Sequence, residues 1–325
     1  MKNRSIMLIV GIGFTAGLAL LVALLSLERA ATEDSRKELE IGYFSRAIGY
    51  APYYVADELG WFDEHPALKD WEVTHRFYGD RATIADSFGN NLDVLLSAEI
   101  PAMMTRAQGA DIRIIDVTGE INLFWIAQSE LSPTSLQSLA GQQVAYQSGT
   151  SSHYGMLKSL EDAGLTADAF ELKNMKAVEA EAAFETDQVA AWVVWSPFLE
   201  QQTVSGVGRR VPGSEYSYAT TMTVTNDLLQ DSPEVAEALV EILDRAQLWI
   251  MENRDEAEVI VAKATRQDVE VVEEALNNVD FSAELDSDMV LVFEEMARFL
   301  LINDAIRGEE ELDVRGDLLA GPVGE

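Results

Sequence analysis

Apolar and polar residues alternate in "EIGYFS" (40–45), the two-residue period of a half-buried strand. "APYYVADELGWF" follows in a helical period, with Pro52 suited to a first turn and Gly60 to a C-terminal end. "WEVTHRFY" alternates again as a second strand, and "RATIADSFGNN" reads as a short helix closed by Gly89. "LDVLLSA" is an apolar run of buried-strand length; "IPAMMTRAQG" is a helix that Gly109 closes, and "DIRIIDVT" is a further strand. Strands separated by helices of about ten residues predict an α/β fold with a mostly parallel sheet.

After a break the pattern restarts. "LFWIAQSELSPTSLQSLAGQQVAYQSG" holds a strand, a turn-rich connection and another strand. A helix opens at "TSSHYGMLKSLEDAG", and "LTADAFELKNM", the helix "AVEAEAAFET" and the strand "VAAWVVW" follow. "EYSYATTMTVTN" is extended and β-branched. From Ser232 the chain is helical, with Ser232, Pro233 and Glu234 as cap, first-turn proline and early acid. Two α/β blocks, a returning strand near 217–224 and closing helices predict two lobes with crossing connections. Residues 40–128 and 221–310 are expected in lobe I, 129–220 in lobe II, and 311–325 as a peripheral tail. Ligands in such architectures sit at strand carboxyl ends and between lobes.

The first thirty residues change the picture. Lys2 and Arg4 precede an uncharged stretch from Ile6 to Leu27, and its twenty-two residues match a bilayer core of roughly 30 Å. A cut after Ala31 would leave Arg29 where a small residue is needed, so an uncleaved anchor is favoured over a cleaved signal. The basic flank lies before the span, which predicts that the remainder is outside the cytoplasm.

Charge narrows the partners. The 325 residues hold 56 acids against 23 bases, a net charge of −33, spread over the chain rather than gathered in a tail. Nucleic acid is therefore excluded as a partner. Only seven of the bases are lysine, a balance expected of proteins whose self-repulsion is screened by high salt. There is no cysteine, which removes disulfides and thiolate chemistry, and His65, His75 and His153 lack metal-ligand spacing. No cofactor or metal is expected.

One stretch invites a ligand. Gly149, Thr150, Ser151 and Ser152 stand immediately before and at the start of a helix, where one capping hydroxyl would suffice. Either the cap is over-supplied, or free N–H groups and hydroxyls form a cradle for an anion. His153 is a further donor candidate.

Four segments carry a resemblance: "GYAPYYVADELGWFDE", "LDVLLSAEIPAMMTRAQGADIRII", "SLAGQQVAYQSGTSSHYGMLKSLEDAGL" and "VAAWVVWSPFLEQ". In this order they resemble the periplasmic solute-binding proteins of ABC importers in the sulfonate, taurine, nitrate and thiamine-precursor group. The likeness covers about residues 40–305 and departs at Ala190, where the family usually has Asp. It implies a two-lobed type II periplasmic-binding-protein fold, a monomer that captures a small organic anion or zwitterion, and an ABC permease with its ATPase as partners. Candidate ligand contacts are Ser45, with its neighbour Arg46, Tyr50, Ser97, Glu99, Thr150, Ser151, Ser152, His153, Trp195 and Tyr218. Glu99 would suit a ligand ammonium, and Trp195 would wall the cleft while Trp192 packs inward. Asp80 and Arg81 read as a helix cap and its neighbour. A tethered sensor, or an enzyme of the thiamine-precursor or menaquinone type, are the alternatives on the same architecture; the pyrimidine-synthase type uses a Cys-rich motif that this chain lacks.

Overall fold

A computed structural model describes residues 36–43, 46–78, 87–88, 92–302 and 312–320. The expected anchor, Ser45, the Asp80–Arg81 pair and most of the helix expected at 81–91 lie outside the described residues.

Strand β1 (Lys37–Tyr43) turns Leu39 and Ile41 into the core and pairs in parallel with β2 (Trp71–Phe77) and β3 (Val94–Ala98). Helix α1 (Ala51–Glu58) begins with Pro52 in its first turn, and Gly60, at φ 73°, ends that run before the short α2 (Trp61–Glu64). β3 leads directly into α3 (Glu99–Ala107).

β4 (Ile112–Gln128) is a single strand of 17 residues. The break in its pattern is two register shifts, between Ile114 and Asp116 and between Val117 and Gly119. Such bulges bend a strand without ending it, so the polarity rhythm is lost while the ladder continues. β9 (Tyr216–Thr225) runs antiparallel between β3 and β4. Beyond it, residues 124–128 of β4 pair with β7 (Ala191–Val194) and β8 (Gly208–Arg210). β5 (Gln143–Tyr146) and β6 (Glu171–Asn174) complete this side, parallel to β7. The strand order is β2-β1-β3-β9-β4-β7-β5-β6, with β8 and β10 (Val279–Asp280) also on β4. The sheet is therefore mixed: parallel within each half, antiparallel where β4 and β9 join the halves. The expectation of a mostly parallel sheet fails at the join, because it presumed a crossover helix between successive strands.

Each half has its own core. Under the first, Leu39, Ile41 and Val55 pack with α8 (Pro233–Glu252), whose Val235, Leu239, Ile242, Ala246 and Ile250 recur at helical spacing. Ser232 occupies the N-cap of α8 without a side-chain cap bond, so Pro233 and Glu234 alone mark this start. Helices α9 (Arg254–Thr265) and α10 (Val269–Leu276) extend the same core, and α7 (Asn226–Asp231) precedes it. The second half is built on Trp125, Trp192 and Phe184, with α5 (Ala177–Glu185) and α6 (Phe198–Val204). A third cluster joins α3 to α11 (Ser287–Ile302) and takes in Tyr154 from the second half. Part of the segment expected as a peripheral tail belongs to this cluster: Val314, Leu318 and Leu319 are buried, Leu319 bridges Ile114, and Arg106 donates to the Asp317 carbonyl at 2.8 Å. Its apolar residues had been outweighed by the surrounding glycines and acids.

Candidate functional site

Where β3, β9 and the second half meet, Ala47, Tyr50, Ala98, Pro101, Thr150, Ser151, Trp195, Tyr218 and Thr220 line a narrow cavity of about 20 Å³, partly open to solvent. Tyr218 and Thr220 are two apart on β9 and so share a face. Tyr50 arrives on the short turn Ile48–Tyr50, which packs tightly on the crossing strands. A Cβ on Gly49 would stand 2.4 Å from the Thr220 methyl, so only glycine fits there. Thr118 donates to the Gly49 carbonyl at 3.0 Å and fixes that turn.

The opposite wall is the start of α4 (Ser151–Asp162). Gly149, at φ 73°, turns the chain into it. Thr150 holds the N-cap position, yet its hydroxyl donates backwards to the Gln147 carbonyl at 2.7 Å and makes no cap bond. The Thr150 hydroxyl therefore does not cap this helix. A helix start without a side-chain cap directs backbone N–H groups and a partial positive charge outwards. Tyr218 adds a buried hydroxyl that has no hydrogen-bond partner among the described residues. Burial, with Tyr50, Glu99 and Glu200 nearby, pushes this phenol well above its usual range, so it stays a donor. The cavity thus presents the Tyr218 hydroxyl and the start of α4 between aromatic walls, an arrangement that suits a small anion with an apolar body.

Of the residues read from sequence, Tyr50, Thr150, Ser151, Trp195 and Tyr218 line this space. Trp192 is core, as its alternation with Trp195 implied. Four others are engaged elsewhere. Ser152 is fully buried and donates to the Val193 carbonyl at 2.5 Å, because helical geometry turns it inward from Ser151. His153 packs on Tyr146 with centroids 5.3 Å apart, its Nδ1 3.5 Å from the Gly149 amide, and burial lowers its pKa. Ser97 is fully buried and donates to the Ala98 carbonyl at 3.0 Å. Glu99 lies behind the wall, where Ser151 Oγ donates to its Oε1 at 3.3 Å. Burial pushes Glu99 up to about 8, against the opposing pull of its own amide, Ser151 and the Ala219 amide. It is a neutral acid at pH 7, and the ammonium-binding role expected of it does not follow from this setting. Arg46 lies over Phe77, 4.4 Å from the ring centroid.

Sequence reading missed Ala47, Ala98, Pro101 and Thr220. Small residues and proline carry no chemical signature, but the two-residue step from Tyr218 could have found Thr220.

A family model described as NMT1/THI5 like matches residues 48–257. The chain belongs to the NMT1/THI5-like family. A Bacillus subtilis (strain 168) protein provisionally named as aliphatic sulfonates-binding is 25% identical, covering 92% of this chain and 93% of that protein. An Escherichia coli (strain K12) protein of the same provisional name is 28% identical over 188 residues, and the match spans 54% of each chain. Among solved structures, the periplasmic aliphatic sulphonate binding protein SsuA from Escherichia coli superposes with a TM-score of 0.75 at 17% identity, covering 90% of this chain and 94% of that one. The fold is that of the periplasmic binding proteins. It also carries the desulfurization enzyme DSZB, at a TM-score of 0.64 and 17% identity over 87% of this chain and 96% of that one.

Proposed function

We propose that this family member is an extracytoplasmic binding protein that captures a small sulfonate-type anion between its lobes and hands it to an ABC permease. The observation that carries the reading is the start of α4: Thr150 leaves it without a side-chain cap, and Ser151 stands there in the wall facing Tyr218. A sulfonate has three acceptor oxygens and no donor, which complements the Tyr218 hydroxyl and helix-end amides; its alkyl chain would lie against Trp195 and Tyr50. The names of the sulfonate-binding relatives support the same class of guest. The proposed lobes comprise residues 40–128 with 221–310, and 129–220, hinged where β4 and β9 cross. Export rests on the N-terminal apolar stretch and on the periplasmic relative. Binding is favoured over catalysis by those relatives; the chain has no cysteine, so a thiol nucleophile is excluded.

A thermal-shift panel at high salt tests the reading, with methanesulfonate, taurine, nitrate and acetate as probes. A rise in Tm with the sulfonates above that with nitrate and acetate is expected. Equal shifts, or none, would overturn the sulfonate assignment.

A further inference from the structure

Two fully buried carboxyls stand in contacts between the halves, one offered by each. Glu99, on α3 of the first half, accepts from Ser151 of the second at 3.3 Å. Glu200, on α6 of the second half, accepts through Oε1 from Asn278, which lies between α10 and β10 of the first, at 2.9 Å. Arg210 of β8 stands 3.7 Å from Glu200 and 3.2 Å from Glu274 of α10. In both glutamates Oε2 is buried without a hydrogen-bond partner among the described residues. An ionised carboxylate left half-satisfied at such a place is costly, whereas a protonated one is tolerated. Separating the halves would admit water to both groups and remove that cost.

We propose that Glu99 and Glu200 form a pair of proton-operated latches: the lobes close when both carboxyls are neutral and open as they ionise. The proposal regulates the cavity described above and rests on the reading that capture requires closure.

The surroundings agree. Tyr154 of α4, Tyr216 and Tyr218 of β9 and Glu120 of β4 act electrostatically with Glu99. Around Glu200 are Ser196, Asn278, the cation Arg210, and Tyr218 of β9, while Glu274 draws Arg210 toward α10. Burial raises both carboxyls despite these partners, Glu99 to about 8. The sign follows from linkage. An opened, hydrated glutamate has a pKa of about 4.3, so above that value closing takes up a proton at Glu99 and becomes up to about tenfold less favourable per pH unit, until Glu99 ionises in both states near pH 8. Glu200 acts in the same direction.

The absence of native cysteine makes the test direct. Val178→Cys on α5 and Val259→Cys on α9, both exposed, carry a fluorophore pair on the full chain in molar salt. Without any guest, the distance between the dyes should lengthen from pH 5 to pH 9, and the Glu99→Gln/Glu200→Gln double variant should remain at the short distance throughout. Asn278→Ala, which removes one partner but keeps both carboxyls, should open at lower pH than the parent. A parent distance that ignores pH, or a pH response that survives the double variant, would overturn the latch. Added methanesulfonate forms the separate arm: if it fails to shorten the distance while the pH response persists, the capture reading falls and the latch stands.

Discussion

β9 borders two concavities, and the two differ in the chemistry of their walls. Tyr218 and Thr220 line the small cavity walled by Thr150, Ser151 and Trp195. Ser217, Ala219 and again Tyr218 border a larger, open groove of about 330 Å³ rimmed by Glu120, Asp280, Glu284, Asp286 and Asp288. Both spaces share a backbone and lie in a chain of net charge −33. Size favours the groove, but its carboxylates repel an anion, while the cavity keeps the Tyr218 hydroxyl and a helix start. On the proposed reading, local chemistry rather than net charge decides which concavity receives a negative guest.

The strongest way to break this contrast is to carry the groove's sign into the cavity. Ser151→Asp keeps an acid-tolerant first helical turn but places a carboxylate in the wall. Calorimetric affinity for methanesulfonate should fall by about 100-fold or more, or roughly 2.7 kcal/mol. Next, Gly49→Ala forces a methyl into Thr220 and Ile121 at 2.4–2.7 Å and should destabilise the fold by about 1–3 kcal/mol in urea unfolding.

The groove side offers a pH test. Burial, then Asp244 and Glu284, pushes Asp116 up to about 7. Its charged form is disfavoured in the fold, so its contribution is complete below about pH 4 and is lost as pH rises through 7. Asp116→Asn should therefore be about 1–2 kcal/mol more stable than the parent at pH 8, an advantage that vanishes toward pH 4. The smallest effect sharpens the contrast: Glu284→Gln with Asp288→Asn should alter methanesulfonate affinity less than about twofold in molar salt, where screening reaches only about 3 Å.

How far the sequence revealed these concavities depended on what each residue does locally. Periodicity located most of the described strands and helices, and hydroxyls at a helix start pointed to Thr150 and Ser151. It could not separate Ser151 from Ser152, since about 100° of helical rotation puts one in the wall and the other against Val193. Nor could alternation show that β4 continues through its bulges, or that Glu99 is sealed behind Ser151. Those facts belong to packing between distant segments, which no local pattern records.

The central claim is that a negative head group is held in the cavity by Tyr218 and the start of α4. Isothermal titration of the parent protein in molar KCl at pH 7, with methanesulfonate and separately with methylammonium, tests it most directly. The account predicts saturable one-to-one binding of the sulfonate and no heat of binding from the amine. Silence with the sulfonate, or saturable binding of the cation instead, would contradict it.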